Sequence, residues 1–586
     1  MLGFLSGILQ FFYTNGQTVY FYYTIALLLL LAGTFAANFG KLRASFSKIK
    51  KNYMLAILAV AVVFVIVELL FVHPTQQLYN DEYIHMSIAK VMLESHYAGI
   101  CSFSNSTTCV PGTAGLFQQP IGWDLLMAID FGIFGVGFPQ VFNLVLMLSF
   151  FSIILVFYIA YMLFGEKTAL FAAVSFAATP LFITYSRSNV LDIPELFVAL
   201  LAIALFLMYM QNKRAITGMA ALFAVAYATI MKVDAAIILP ILLVMLLVDR
   251  HPFTKKKELL KFAGMAALLF AILIPQFIFV YNTNHYNTFG QQLNQSKLSI
   301  EYLVNNTETN APFWLGAYNN VVDYGQNWHI EYPLTFSLLA LAGLAVMAYR
   351  KRYREAIGLF LWFAIVFAFY SSYYAGSVLY GLGDDVRYYM IAFPVISIFL
   401  GFFLANAHDW LSERTRKIGG KKREDMYRKA LFVALLALLL AEPIMLFVNV
   451  VTIQPLKMPA FAFERAEEQL ILQNYNLVPK GCMVLTFKPP LWYVLNVSNI
   501  YATWIFTPSN YAEAVNMSHG CFYFDQSVSC AINNECVPIY DNFTLAPVAV
   551  ERFTNFTWNN TMGIYRITGF NSSGAFKDIA KGGIVG

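Results

Sequence analysis

The run "YMLAILAVAVVFVIVELLFV", residues 53–72, decides the fold class. It is long and apolar enough to cross the hydrocarbon core of a bilayer as one helix. The rest of the chain has the same character, with 59% hydrophobic and only 12% charged residues, whereas soluble proteins carry about 25% charged residues. The composition predicts a polytopic membrane protein and excludes a soluble globular domain.

About twelve stretches are suitable as membrane spans, so we expect an all-α bundle of roughly 11–13 transmembrane helices. Residues 1–13 are apolar, but they are too short to span and no basic residue precedes them, so no cleavable signal peptide is evident. We expect them to lie in the interface or beneath the first span. The predicted spans are 20–39, 53–72, 139–164, 168–185, 190–210, 215–231, 235–248, 262–281, 333–349, 356–372, 388–406 and 430–450.

Charge and sequons together predict the orientation. Five basic clusters fall on one side of the alternating spans, and the positive-inside rule makes that side cytoplasmic. The N-x-S/T sequons and the six cysteines all fall on the other side, where an oxidising environment permits disulfides. The clusters lie at 41–51, 213–214, 255–261, 350–354 and 413–429; the sequons begin at Asn105, Asn294, Asn305, Asn496, Asn516, Asn542, Asn555, Asn559 and Asn571.

This orientation divides the chain into three parts. Residues 1–52 form an N-terminal segment with one span and a basic cytoplasmic loop. Residues 53–450 form the transmembrane domain, with a long first outer loop at 73–138. Residues 451–586 contain Val- and Tyr-rich runs separated by Asn, Pro and Gly, which predicts a small α/β or mostly β extracytoplasmic domain. We expect the protein in the cell membrane of a prokaryote, with an archaeon as one option.

The stretch "LYNDEYIHMSIAKVMLES", residues 78–95, begins the first outer loop and places Asp81 and Glu82 side by side. Apolar residues recur after them at helical spacing, with a polar outer face. Asn80 or Asp81 is suited to capping this helix. A carboxylate is favourable there whether or not it has a catalytic role, because it complements the helix dipole.

A second amphipathic helix is predicted in "QQPIGWDLLMAIDFGIFGVG", residues 118–137. Pro120 stands near its first turn, and Asp124 stands apart from its apolar stripe. Two helices in the membrane surface would form the floor or roof of a cavity.

Three further connections between spans, all on the predicted outer side, each contain a basic residue at a similar depth in the membrane. Charges at membrane depth are costly, so those retained there are candidates for function, although short turns need polar residues and basic side chains also snorkel to the interface. Cations beside a carboxylate suit a phosphorylated lipid headgroup with an acid or base nearby. The joins contain Arg187, Asp192 and Pro194; Lys232 and Asp234; and Asp384, Asp385 and Arg387.

The order of these motifs resembles the glycosyltransferase C superfamily, in its protein O-mannosyltransferase and aminoarabinose-transferase branch. The resemblance covers roughly residues 53–410. One departure is Gln118-Gln119-Pro120, where the family often has Lys-Pro-Pro; another is the additional span before the usual first one. The resemblance is carried by Asp81-Glu82, by the segment from Pro120 to Phe134, by Arg187-x4-Asp192-x-Pro194, by Lys232, and by Arg387-Tyr388-x5-Pro394.

The resemblance implies transfer of a sugar from a polyprenyl-phosphate carrier to an acceptor outside the cytoplasm. Asp81 is then the candidate general base, and Glu82 supports the loop or the acceptor. Arg187, Lys232 and Arg387 would bind the donor phosphate, with Asp192 and Asp234 in support. The implied partners are a polyprenyl- or dolichyl-phosphate sugar, the acceptor and membrane lipid, and no nucleic acid.

No cofactor or metal is obligatory for such a donor, and a solvated turn is the better interpretation of Asp384-Asp385. An oligosaccharyltransferase, a transporter or flippase of a lipid-linked sugar, and a non-catalytic scaffold for glycan assembly are the alternatives. Cys101 and Cys109 could close a short loop, whereas Cys482, Cys521, Cys530 and Cys536 allow three pairings.

Overall fold

The computed structural model describes most of the chain, from Leu2 to Asn571. The residues outside the description are 1, 73–78, 111–113, 116–119, 249–255, 285–297, 316–318, 324–325, 331, 374–386, 420, 453–458, 528–529, 531–534, 554–559 and 572–586. Asp384, Asp385, Gln118 and Gln119 are among them.

The described chain is mainly a helical bundle. Eight helices are long and apolar enough to cross a membrane, and three shorter apolar helices accompany them. The predicted fold class is confirmed, with eight candidate spans among the described residues. The bundle contains α1 (Leu2–Phe46), α2 (Lys51–Phe71), α5 (Phe138–Phe164), α6 (Glu166–Ala177), α7 (Pro180–Tyr185), α8 (Asp192–Asn212), α9 (Ala215–Met231), α10 (Ile238–Val248), α11 (Lys256–Asn284), α13 (Leu334–Tyr349), α14 (Tyr353–Ser371), α15 (Phe393–Gly419) and α16 (Lys421–Thr452).

The centre of the bundle is formed by α8 and by the segment Arg387–Arg414, which contains most of α15. Each is 83% buried over its most apolar window, whereas Lys429–Phe447 is 11% buried there. Gly401 permits the close approach of α15 to α6, since a Cβ on Gly401 would lie 2.6 Å from the carbonyl oxygen of Thr168. Asp192 and Arg387, at the starts of these two segments, are therefore held by the most buried of the candidate spans.

One prediction about the spans is wrong in detail. The predicted span 168–185 is two helices, because the chain breaks at Ala178 and Thr179 and restarts with Pro180 in the first turn of α7, where proline is tolerated. In α1, a kink at Asn15 separates the N-terminal residues from the candidate span Asn15–Phe46. That the first 13 residues lie in the interface or beneath this span stays a prediction.

Outside the bundle, the first outer loop contains α3 (Tyr79–Ser95), three short strands and α4 (Gly122–Phe134), so both predicted helices are present. A second outer segment contains a helix, α12, and a hairpin. These elements are β1 (Ile100–Cys101), β2 (Phe103–Ser104), β3 (Ala114–Gly115), α12 (Ile300–Trp314), β4 (Asn319–Asp323) and β5 (Gln326–Ile330).

The C-terminal region is a small α/β unit around a six-stranded sheet of order β2-β7-β6-β8-β10-β9. The strands β6, β7 and β8 are parallel, and the outer pairs are antiparallel. The edge strand β2 comes from the first outer loop, so that loop is part of the sheet. The other elements are α17 (Pro459–Asn474), β6 (Met483–Thr486), α18 (Pro489–Val494), β7 (Asn499–Tyr501), α19 (Pro508–Ser518), β8 (Phe522–Gln526), α20 (Val537–Asn542), β9 (Phe543–Phe553) and β10 (Asn560–Phe570).

All six cysteines form disulfides: Cys101–Cys109, Cys482–Cys521 and Cys530–Cys536. The first closes the short loop that the sequence allowed. The other two select one of the three pairings that sequence alone left open.

Candidate active site

Lys232 lies at the centre of a buried ionic cluster where α8 and α9 meet. It follows the last residue of α9 in an extended conformation, and its ammonium Nζ lies 2.8 Å from Asp192 Oδ1 and 3.3 Å from Glu195 Oε2. Both carboxylates are in the first turn of α8, where negative charge complements the helix dipole. The Lys232 side chain is only 13% exposed and the two carboxylate side chains 3%.

Arg387 reaches the same carboxylate from the start of the α15 segment. Its Nε lies 3.7 Å from Asp192 Oδ2. The ring of Tyr388 lies against both cations, with its centroid 4.5 Å from Lys232 Nζ and 5.1 Å from Arg387 Cζ. Asp192 therefore joins two of the predicted cations, and the aromatic ring adds an apolar wall that also favours cations.

Arg187 lies apart from that pair. Its guanidinium Nη1 donates to the backbone carbonyls of Glu68 at 3.1 Å and Val72 at 2.8 Å. A guanidinium at the C-terminal end of α2 satisfies carbonyls that the helix leaves unpaired. Burial lowers the pKa of Arg187, and the nearby Glu68 carboxylate opposes that shift.

Glu68 is a polar residue of the site that sequence analysis did not single out. It is completely buried, although it stands in the otherwise apolar run of residues 53–72. A lone carboxylate within a predicted span is a signal of function or of specific pairing, and this signal was present in the sequence.

Asp81 is the third residue of α3; its side chain lies outside the described part of the structure. Glu82 is completely buried. Its Oε1 accepts a hydrogen bond from the Asn189 backbone N–H at 3.1 Å, and its carbonyl accepts one from Asn189 Nδ2 at 2.9 Å. Asn189 also accepts from Trp123 Nε1 at 3.0 Å. The start of α3 and α4 are thereby held to the loop that contains Arg187.

The predicted polar outer face of α3 is wrong. His85 and Lys90 are each only 1% exposed. Lys90 is buried against Tyr493 of the C-terminal unit, whereas His85 is buried against Asp124 of α4. Tyr83 packs with Ile471 and Trp492 of the C-terminal unit. A prediction based on periodicity treated the face as solvated, since the covering domain is distant in sequence.

His85 and Asp124 connect α3 with α4 below the site. His85 Nδ1 lies 2.7 Å from Asp124 Oδ1, and both side chains are buried. Burial raises the pKa of Asp124, and the contact with His85 opposes the shift. Asp124 thus departs from the apolar stripe of α4 because it has a buried polar partner.

The close approach of α4 to α9 depends on Gly122. A Cβ at this position would lie 2.7 Å from the carbonyl oxygen of Ile230 and 3.0 Å from the amide nitrogen of Met231. Lys232 is the next residue, so the first turn of α4 is packed against the turn that presents the lysine.

The segment 187–195 connects the predicted residues. It carries Arg187 itself, binds Glu82 through Asn189, and places Asp192 between Lys232 and Arg387. Asp234 lies in the turn Val233–Ile237 after Lys232 and acts electrostatically on it. The structure brings Glu82, Asp192, Lys232 and Arg387 into one contact network, with Arg187 at its margin toward α2.

Within the residues that the structure describes, no group of three or more His, Cys, Asp or Glu side chains has an arrangement suited to a metal ion. The carboxylates of the cluster face cations instead. That no metal is obligatory remains a prediction.

Residues 118–279 match the family model of dolichyl-phosphate-mannose-protein mannosyltransferases, and this segment contains Arg187, Asp192 and Lys232. A search of curated proteins finds no significant match.

The fold is similar to that of ArnT from Cupriavidus metallidurans. Its apo structure matches with a TM-score of 0.54 at 15% identity, over 88% of this chain and 98% of that one. The structure of the same protein bound to undecaprenyl phosphate matches with a TM-score of 0.53 at 14% identity, with the same coverage. The Archaeoglobus fulgidus oligosaccharyltransferase is less similar, with a TM-score of 0.49 at 13% identity, over 87% of this chain and 76% of that one.

The chain therefore has several helices able to span a membrane, one segment that matches the dolichyl-phosphate-mannose-protein mannosyltransferase model and a fold similar to that of ArnT. The matched segment and the fold support the family resemblance that the motifs carry.

Proposed function

We propose that the protein is a membrane glycosyltransferase that moves a sugar from a polyprenyl- or dolichyl-phosphate carrier to an extracytoplasmic protein, lipid or glycan. The observation that carries this proposal is the buried cluster in which Asp192 joins Lys232 and Arg387. It lies in a fold of the glycosyltransferase C type, near the first turn of α3, which contains Asp81 and Glu82.

The cluster can keep its carboxylates and still bind a phosphate. An ammonium has three N–H donors and a guanidinium has five. The contacts of Lys232 with Asp192 and Glu195 use two of its three. Arg387 donates through Nη2 to the Tyr388 hydroxyl, and its Nε lies 3.7 Å from Asp192 Oδ2, beyond hydrogen-bond distance. The carboxylates hold both cations in fixed positions, and such preorganisation is what electrostatic catalysis needs.

In the proposed reaction, the acceptor hydroxyl gives its proton to Asp81 while its oxygen attacks the anomeric carbon of the sugar. The bond between that carbon and the carrier phosphate oxygen breaks, and the phosphate leaves with the electron pair. Lys232 and Arg387 stabilise the growing negative charge on the phosphate, and Arg187 does so from the α2 side. No metal or cofactor takes part in this scheme.

Glu82, Asp192 and Asp234 have supporting roles in the proposal. Glu82 holds the loop of Arg187 against α3 through Asn189. Asp192 and Asp234 hold the cations. The structure of ArnT bound to undecaprenyl phosphate supports a polyprenyl phosphate as the carrier. The mannosyltransferase family model supports a hexose as the sugar, and a pentose is the alternative.

The charge distribution supports an extracytoplasmic location for the site and the C-terminal unit. The site lies at the ends of the bundle opposite Lys41, Lys213, Arg350 and the other basic clusters, which the positive-inside rule assigns to the cytoplasm. The acceptor would then approach from the side of α3 and the sheet.

The test is transfer of a labelled sugar from a polyprenyl-phosphate donor by purified Asp81→Asn protein. Asparagine has nearly the size and shape of aspartate but cannot act as a base, so we expect loss of turnover with an unchanged melting temperature and retained donor binding. Asp541→Asn, at an exposed position of the C-terminal unit, is the matched control and should keep full turnover.

Near-normal turnover of the Asp81→Asn protein would move the role of base to another carboxylate, with Glu82 and Asp192 the next candidates. If the wild-type protein instead moved the intact lipid-linked sugar across vesicles without transferring it, a flippase would replace the proposal.

A further inference from the structure

A cavity of about 460 Å³ lies between α1, α5 and α8. Its walls are hydrophobic throughout: Phe35 and Leu42 from α1, Phe151 and Leu155 from α5, and Leu201 and Met208 from α8 are examples. Ligand pockets in proteins have volumes of this order. One wall is formed by the additional first span, and the α8 wall starts at Phe197, two residues after Glu195 of the ionic cluster.

The cavity is a built feature of the helix packing. α1 is fastened to α9 on one side, where the Thr217 hydroxyl donates to Asn38 Oδ1 at 2.7 Å and Asn38 Nδ2 donates to the Ile216 carbonyl at 3.2 Å. It is fastened to α5 near its C-terminal end, where the Tyr158 hydroxyl donates to Ser45 Oγ at 2.9 Å. From Leu28 to Phe46 the α1 side chains line the cavity that separates this helix from α5 and α8.

The wall of the cavity near Ser45 is closed by stacked rings of Phe46 and Tyr158, whose centroids are 4.7 Å apart. The wall at α5 is open to the surroundings, since Phe151 is 43% exposed. α1, α5 and α8 are all candidate membrane spans, so the surroundings of that opening are acyl chains. An apolar cavity at this depth is filled by an apolar group rather than by water.

Exposed basic residues flank the same end of the cavity. Lys41 and Arg43 stand on both sides of the lining residue Leu42, and Lys213 and Arg214 follow α8 shortly after the lining residue Met208. Basic clusters at a membrane surface attract anionic lipid headgroups. Apolar walls and a positive rim together match one phospholipid, with its chain in the cavity and its headgroup among the cations.

We infer that this cavity binds one acyl chain of an anionic phospholipid from the leaflet on the basic side. The bound lipid fills the gap beside α1 and holds that helix against the bundle. The inference stands independently of the proposed transferase activity.

The test uses the purified protein in vesicles containing phosphatidylglycerol or phosphatidylcholine with a photoactivatable diazirine on the acyl chain. Mass spectrometry then maps the labelled peptides. We expect labelling of α5 and α8 at the cavity, stronger with phosphatidylglycerol than with phosphatidylcholine. Ala32→Phe fills the cavity from α1 and should remove this labelling, whereas Ala37→Phe, on the same helix and outside the lining, should not.

The headgroup is tested separately. Lys41→Gln with Arg43→Gln should reduce the preference for phosphatidylglycerol by roughly fivefold for each charge removed. The control pair is Arg350→Gln with Lys351→Gln, which are exposed basic residues at another turn of the same side and should leave the preference unchanged.

Uniform labelling of every lipid-facing helix, unaffected by Ala32→Phe, would overturn the inference. So would cross-linked dimers joined through α1 and α5, since a second copy of the chain would then fill the cavity. Equal labelling by both lipids at the cavity would overturn the requirement for an anionic headgroup.

Discussion

Lys90 of α3 donates a hydrogen bond to the backbone carbonyl of Tyr493 across 2.6 Å. The same ammonium donates to Asn496 Oδ1 at 2.9 Å and lies 3.9 Å from the centroid of the Tyr493 ring. The Tyr493 hydroxyl in turn donates to Glu94. The helix α3 has Asp81 and Glu82 in its first turn. Its other end is therefore anchored in the C-terminal unit, about 400 residues later in the chain.

This anchor leads to a prediction about pH. Burial lowers the pKa of Lys90 from its ordinary 10.5 to about 8, and Glu94 opposes the shift. Between pH 8 and 10.5 the unfolded chain keeps the proton that the folded protein has released, so stability rises with pH in this window. The gain from this group is about 3 kcal/mol, and burial raises the pKa of Tyr493, so that phenol stays protonated throughout.

The measurement is the melting temperature of wild type and Lys90→Met protein in detergent from pH 7 to pH 10.5. The wild type should gain relative to the variant as the pH rises. Lys480→Met, which removes an exposed lysine of the same unit, should follow the wild type. A difference between wild type and Lys90→Met that is independent of pH would contradict the lowered pKa.

The second prediction concerns the pair Lys232 and Asp192. Without Lys232, Asp192 keeps Arg387, and without Asp192, Lys232 keeps Glu195. Each single change therefore costs at most about 3–5 kcal/mol, which is typical of a broken buried ion pair, whereas the double change removes both members of this contact. Lys232→Met and Asp192→Asn should each lower the melting temperature, and the double variant should lose less than the sum of both. If the proposed function is right, all three also lose affinity for a polyprenyl-phosphate sugar.

The two roles separate in the double variant. If stability recovers but donor affinity does not, Lys232 both pairs with Asp192 and binds the donor phosphate. Recovery of both indicates that the pair is only structural, and the phosphate role would then pass to Arg187 and Arg387.

The third prediction concerns Gly122. A methyl group there meets the backbone of Ile230 at 2.7 Å, and backbone atoms yield little, so Gly122→Ala should cost about 1–3 kcal/mol by overpacking. It should also displace Lys232, two residues beyond Ile230, and weaken donor binding. Gly264→Ala is the control, since a Cβ there meets nothing within 4 Å, and alanine in a helix is favoured over glycine by up to about 1 kcal/mol. Equal effects of the two substitutions would contradict the close contact.

The sequence was sufficient to predict what depends on local composition. The spans, the two helices of the first outer loop and the ends of Asp192–Asn212 follow from long apolar runs, helical periodicity and turn residues. Sequence alone predicted only that four polar residues lie at a similar depth in the membrane: Arg187, Asp192, Lys232 and Arg387. They follow from connections on the outer side, which all lie at one end of a helical bundle.

Other features depend on contacts between distant segments. Nothing near Lys90 indicates that Tyr493 covers it, and nothing near Phe103 indicates that it pairs with Ile500 at the edge of the sheet. Sequence reasoning assigned Lys232 and Arg387 to the donor phosphate and Asp192 to a supporting role, and only the structure shows that Asp192 lies between these two cations. Glu195 and Tyr388, which contact Lys232, become visible as site residues only in three dimensions.

The fourth prediction tests sidedness. All six native cysteines are in disulfides, so a single introduced cysteine reports its own accessibility to a membrane-impermeant maleimide. Asp541→Cys, exposed in the C-terminal unit, should be labelled in intact cells. Lys351→Cys, exposed among the basic residues between α13 and α14, should be labelled only after the membrane is opened. The opposite pattern would invert the topology and place the proposed site in the cytoplasm.

The last prediction compares two disulfides of the C-terminal unit. Cys482–Cys521 closes a loop of 39 residues, and Cys530–Cys536 closes one of 6. In the chain-entropy model a disulfide stabilises by restricting the unfolded chain, by about 4 kcal/mol for the longer loop and about 2 kcal/mol for the shorter one. Cys482 is also the residue before β6, and Cys521 is the residue before β8, two neighbouring strands of the sheet. Replacing Cys482 and Cys521 by alanine should therefore lower the temperature at which the unit becomes sensitive to protease more than replacing Cys530 and Cys536. Equal shifts for the two pairs would show that loop length does not control the contribution of these bonds.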